Sequence, residues 1–131
     1  MKLLYLPLCV IFYLVSAVGT VDPIDNIAAL IRQGNVHELS KLFAPNIDIT
    51  LLDQEDVYSG AQAELILEKF FNQNKPVTVK ILHKVNSNSN YRLGVLIFST
   101  GKETYRVAYT LKMIEGSSRI IELRIETEKV R

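Results

Sequence analysis

His83, Tyr91, Tyr105 and Tyr109 fall where a run of four strands would set them on one apolar face. That set suits proton transfer, with His83 as general base and a tyrosine hydroxyl donating to a developing oxyanion. The plainer reading leaves His83 half-buried near a strand end, satisfied by backbone or water, and lets the tyrosines fill a core with their hydroxyls at its rim. The same face carries no Asp or Glu, so no carboxylate backs the histidine there. His83 is the single catalytic candidate on the sheet, and the three tyrosines are candidate pocket-lining residues.

Acidic residues gather elsewhere, at Asp48 and at Asp53-Gln54-Glu55-Asp56. Paired carboxylates can share acid and base roles, but Asp48 has the parity of an outward strand face and the later run reads as an exposed, solvated loop. Calcium would need alternating oxygen ligands around a turn glycine, a pattern the chain lacks. A P-loop, a GxGxxG turn, a nucleophile elbow, an HExxH pair and a Cys/His cluster are also missing from the sequence. The sequence therefore implies no metal site and no cofactor. His37, among Asn35 and Glu38, reads as a solvated residue on a short helix.

Length and charge bound the remaining choices. The chain has 131 residues, 48% hydrophobic and 22% charged, enough for one core. Residues 1–19 form a segment apart. Lys2 gives a positive start, Leu3 to Val15 is apolar apart from Pro7, and Ser16-Ala17-Val18-Gly19 offers small residues at signal-peptidase spacing. The apolar stretch is about sixteen residues, short of the roughly 20 that span a bilayer. The expectation is a signal peptide over 1–19 and a single exported domain over 20–131, in the periplasm or cell envelope, with no membrane insertion after cleavage. An uncleaved anchor is the other reading. Removing Lys2 from the 15 basic residues leaves 14 against 14 acidic ones. A neutral domain does not favour nucleic acid, whose phosphates call for clustered Lys and Arg. The one cysteine, Cys9, lies inside the apolar run, so the exported part would have neither disulfides nor thiolate zinc.

The elements that must position these groups follow from periodicity. Asp22 caps a first helix with Pro23 in its first turn, Ile24, Ile27, Ala28 and Ile31 recur at helical spacing, and Gly34 ends it. Asn35 caps a short second helix with Leu39, Leu42 and Phe43 as its stripe, stopped by Pro45. Asn46 to Leu52 alternates as a half-buried strand. Ser59 and Gln62 form a capping box for a third helix, to about Asn72, with Leu65, Ile66, Lys69 and Phe70 on one side and Leu67 and Phe71 widening the stripe. Four strands follow from Val77 to Glu126. The face expected to meet the helices holds Val77, Val79, Ile81, His83, Val85, Leu93, Val95, Ile97, Val107, Leu111, Met113, Ile121, Leu123 and Ile125 together with the tyrosines. The fold class is α+β: a curved antiparallel sheet, made of a four-strand C-terminal meander and one N-terminal strand, wrapped around the helices as a cone or roll. On its outer face Leu82, Leu96, Phe98, Ala108 and Ile120 interrupt the charges and form a candidate interface.

The order helix, helix, strand, helix, meander is similar to the nuclear transport factor 2-like superfamily, also called the cystatin-like α+β roll. Val57-Tyr58-Ser59-Gly60, leading into Ala61 to Phe71, resembles that family's tyrosine-glycine entry to its third helix. With the export segment, the chain also resembles small secreted Bacteroidetes proteins of a domain-of-unknown-function family. The resemblance implies a cone-shaped fold that hosts both enzymes and non-enzymatic domains, so it leaves function open. Two readings stand. One is a non-catalytic interaction or small-ligand-binding domain, a homodimer or the partner of an envelope protein, with a small apolar ligand as a further option. The other is a cofactor-free lyase or isomerase acting on a small apolar substrate, with His83 as base. A cystatin-type inhibitor comes last, for want of an inhibitory loop.

Overall fold

The computed structural model describes residues 22–88 and 90–129, so the segment expected to be a signal peptide lies outside the described residues. Helix α1 runs Pro23–Gln33, capped at its start by the Asp22 carboxylate, which accepts from the Ile24 amide, and closed at Gly34. Helix α2 is Val36–Ser40 and accepts its cap from Asn35. Helix α3 is Gly60–Gln73, opened by the reciprocal Ser59/Gln62 capping box. The strands are β1 Phe43–Leu51, β2 Gln54–Ser59, β3 Thr78–Asn86, β4 Tyr91–Ser99, β5 Thr104–Ile114 and β6 Ser117–Thr127. They form one curved, unclosed six-stranded sheet in the order β2-β1-β6-β5-β4-β3. Neighbours are antiparallel except β1, which lies parallel to β6.

Two boundaries differ from the sequence reading. Strand β1 begins at Phe43 and not at Asn46, so Phe43 belongs to a strand. Its pairing with β6 shifts between Phe43 and Asp48, and Pro45, which has no N–H to give a ladder, sits in that irregular stretch. Of the acidic run expected as a loop, Asp53 lies in the turn and Gln54-Glu55-Asp56 open strand β2, a hairpin partner of β1 at the sheet's edge. Five of its six residues are exposed, so no apolar alternation signals it.

The helices cover one sheet face. The buried cluster joins Ile24, Ile27 and Ile31 of α1, Leu67, Phe70 and Phe71 of α3, Ile47 and Ile49 of β1, and Val107, Tyr109 and Leu111 of β5. Each large apolar side chain buried in such a cluster contributes about 1.5–3 kcal/mol through the hydrophobic effect. The third helix turns slightly from the expected stripe: Ala63 and Leu67 are buried, and Leu65 is 69% exposed.

The meander is where the expected faces fail. In β4 the row Phe98, Leu96, Gly94 pairs with Tyr105, Val107 and Tyr109, so it faces the helices. Leu96 and Phe98 are 0% and 1% exposed. Leu93, Val95 and Ile97 take the outer face instead. Because β4 is apolar on both faces, alternation cannot choose between two registers one residue apart. Gly94 settles the choice: a Cβ there would lie 2.6 Å from Cε2 and Cζ of Tyr109, so only glycine admits that ring against the strand.

Bulges move the other residues. The β3–β4 ladder shifts between Ile81 and His83, leaving Val79 and Ile81 inside and sending His83 and Val85 outside. The β5–β6 ladder shifts between Thr110 and Leu111, which brings Ile120 opposite Leu111 and buries it completely. The candidate interface is corrected accordingly. Leu96, Phe98 and Ile120 are core residues, Leu82 is the half-buried extra residue of the β3 bulge, and only Ala108 keeps an outer place, opposite Val95.

Candidate functional site

The histidine and the tyrosines do not converge. His83 is exposed on the outer face, opposite Val95. Tyr91 shares that face but stands four residues from Val95 along β4, roughly 13 Å at strand rise, and the Lys112 ammonium lies 5.6 Å from its ring centroid. Tyr105 and Tyr109 are on the opposite, covered face. The Tyr109 hydroxyl, fully enclosed, donates to the Ile24 carbonyl at 2.9 Å and locks α1 onto the sheet. Burial, reinforced by the nearby carboxylates of Asp25 and Asp22, pushes its phenol far above the ordinary value. The Tyr105 hydroxyl donates to Asn74 Oδ1 at 2.9 Å, and its ring stacks on Phe98 with centroids 5.0 Å apart. Its phenol is raised by burial first and by the Glu103 charge second. Tyr105 and Tyr109 thus fill the core and tie it to a helix cap and a helix end, and neither forms a base–donor pair with His83. The lyase reading built on His83 loses its geometry.

At the end of the covered face the apolar row of β4 continues into Arg92, which grips Asp22 at 2.9 and 3.1 Å. Lys84 joins from β3, 2.8 Å from Asp25 and 3.7 Å from Asp22. The hydrogen bonds from Arg92 first, and from the Ile24 amide second, hold the Asp22 carboxyl below its ordinary range. These charges pair across the start of α1 and fasten it to β3 and β4. His37, solvent-facing as expected, lies 3.1 Å from Glu64 and links α2 to α3.

The outer face is the surface left open, because the helices pack on the other side. Cross-strand pairing orders it in rows. One row runs Val85, Leu93, Thr110, Glu122, Asp48, Val57; the next runs His83, Val95, Ala108, Arg124, Thr50, Glu55; a third runs Lys80, Ile97, Arg106, Glu126. The outer face is therefore apolar along β4, with Val85 and Ala108 beside it, polar at Lys80 and His83 of β3, and charged across β6, β1 and β2. Arg124 bonds Glu126 at 2.8 Å, and Arg106 bonds Glu128 at 2.7 Å. Asp48 faces outward as its parity implies and stands beside Glu122. One of its carboxylate oxygens is enclosed with no hydrogen-bond partner among the described residues. Among the described residues no three His, Cys, Asp or Glu side chains are grouped to hold a metal. No described helix is long and apolar enough to cross a membrane.

Sequence reasoning missed Leu93, Val95 and Ile97 as the outer apolar row. The signal that locates them is Gly94: a glycine in mid-strand marks a close approach, and the face it shares with Leu96 and Phe98 is the packed one.

Comparison with known proteins supports this architecture. No curated protein matches. A DUF4783 family protein from Bacteroides uniformis superimposes with a TM-score of 0.78 at 17% identity, covering 83% of this chain and 100% of the other. A domain of unknown function with a cystatin-like fold from Nostoc punctiforme gives 0.63 at 10% identity, covering 79% and 72%. A protein named "Rd1NTF2_04 with long sheet" gives 0.58 at 17% identity, covering 77% and 94%. The fold is thus the cystatin-like, nuclear transport factor 2-like roll that the element order resembles. The family model for the domain of unknown function DUF4783 matches residues 24–126, nearly all of the described residues, and the chain belongs to that family.

Proposed function

We propose that this is an exported, non-catalytic interaction domain that binds a protein surface through the outer face of its sheet. The observation that carries this reading is the row of half-buried Leu93 and Ile97, with the nearly covered Val95 between them and the exposed Val85 and half-buried Ala108 at its flanks, on a face to which the helices do not pack. Contiguous apolar surface bounded by charge is characteristic of interaction sites. Beneath the helices Phe71, Phe98 and Tyr105 pack ring against ring, so that part of the core is filled. Export rests on residues 1–19, with 20–131 as the single domain and the periplasm or envelope as its place.

A second copy of the chain is the first partner to test. A two-fold contact would lay the apolar β4 row of one copy against the same row of the other. Native mass spectrometry of the purified protein, alone and with envelope extract, tests the reading. A dimer or protein adduct that Ile97→Glu abolishes while circular dichroism stays unchanged supports it. A monomer with no protein adduct sinks it.

A further inference from the structure

A second feature lies away from the sheet face, between α3 and the turn that joins β1 to β2. There a cavity of about 530 Å³ opens, within the roughly 300–1,000 Å³ usual for small-molecule sites. Its floor is apolar, formed by Leu51, Ile66 and the buried ring of Phe70, and its rim includes Asp53 and Lys69. Ile66, Lys69, Phe70 and Gln73 are spaced i, i+3, i+4, i+7, so one stripe of α3 supplies a whole wall.

The two rim charges are of opposite sign and line the same cavity. Among the described residues neither Asp53 nor Lys69 forms an ion pair or a side-chain hydrogen bond, so both are free to meet a ligand in the cavity. An unpaired cation and an unpaired anion across an apolar floor complement a molecule that carries both charges on an apolar body. The turn adds a further mark. Leu51 pairs with Gln54, so Leu52 and Asp53 form a two-residue hairpin loop, and Leu52 is held at φ 58°. That is a position where hairpins favour glycine, and a leucine there costs of the order of 1–3 kcal/mol. The strained side chain is 42% exposed and lines the cavity. A leucine kept there at a cost to the fold is accounted for if its side chain serves as a wall.

We infer that this groove binds a zwitterionic ligand with an apolar body, of the size of an apolar dipeptide, its ammonium toward Asp53 and its carboxylate toward Lys69. The inference is independent of the sheet-face reading, and its test does not depend on oligomeric state. Calorimetric titration of the purified protein with the dipeptide Leu-Leu, its N-acetyl form, its C-terminal amide and dodecanoate decides it. The expected result is saturable binding of Leu-Leu, weakened at least tenfold by either block. Lys69→Gln should erase the penalty for the amide and Asp53→Asn the penalty for the acetyl group. Leu52→Gly should raise the melting temperature while weakening Leu-Leu binding severalfold, a combination that a purely structural role for Leu52 would not produce. The inference is overturned by failure of Leu-Leu to saturate at millimolar concentration. It is equally overturned by tight dodecanoate binding that ignores Asp53→Asn, which would make the groove a site for simple carboxylates.

Discussion

The two faces of β4 are almost equally apolar and have different fates. Gly94, Leu96 and Phe98 are sealed under the helices, whereas Leu93, Val95 and Ile97 line the open side. Hydrophobicity did not assign these faces. The close fit of Gly94 to the Tyr109 ring, along the unbroken β4–β5 ladder, did. The difference teaches that one apolar strand can serve as core and as contact surface at once, and that its smallest residue marks the core side.

The largest test of the contrast sets neighbours against each other. Phe98→Ala should cost about 3–5 kcal/mol, because it empties a site stacked on Tyr105 and touched by Phe71. Ile97→Ala, one residue away, should cost less than about 1 kcal/mol. Chemical denaturation of the two variants measures the gap, and equal losses would mean that the outer face is covered after all. Gly94→Ala comes next, at about 1–3 kcal/mol, because the fully buried Tyr109 ring cannot swing aside without losing its bond to Ile24. Trimming that ring with Tyr109→Leu should recover part of the Gly94→Ala loss, visible as a favourable coupling in a double-mutant cycle. Additive losses would refute the clash.

How much of this was legible follows from the same residues. The caps at Asp22, Asn35 and Ser59, the four meander strands and the inner row of β5 were all readable, because each is a local pattern that one register satisfies. The position of Ile120 was not, since a bulge is an agreement between two strands and leaves no trace in either alone, and the faces of β4 had only Gly94 to mark them. Strand β2 was hidden because an edge hairpin that buries almost nothing needs no apolar alternation. The placement of His83 failed for the bulge's reason: with Leu82 as an extra residue, the alternation that begins at Val79 reverses before it reaches the histidine.

The covered row of β4 ends at Arg92, and pH probes whether that end is held by charge. Asp22→Asn keeps a capping side chain and removes the anion. The Asp22 carboxyl is held below its ordinary 3.8 in the folded protein, chiefly by Arg92. The wild type's advantage over the variant should therefore be complete above about pH 4 and fade as pH falls through the lowered folded value. Both partners are partly exposed, so the advantage should reach only about 1 kcal/mol. Melting temperatures that differ equally at pH 7 and pH 2.5 would show that the contact acts through packing.

The smallest expected effect lies on the open face and carries the opposite sign. Asp48 stands beside Glu122 in the β1–β6 ladder, with one carboxylate oxygen enclosed and unpartnered, while the Thr110 hydroxyl reaches Glu122 at 3.4 Å. A buried acceptor without a donor and two like charges side by side both oppose folding. Asp48→Asn removes one charge and supplies an N–H₂ that can donate to Glu122. The protein should gain up to about 1 kcal/mol at pH 7. Thermal melts at that pH measure it. If Asp48→Asn instead destabilises the monomer, the enclosed oxygen has a partner in solution, and the charged half of the outer face is better ordered than its neighbours imply. If the melt improves while self-association weakens, Asp48 has been kept for the contact surface, at a cost to the fold that the apolar row beside it does not share.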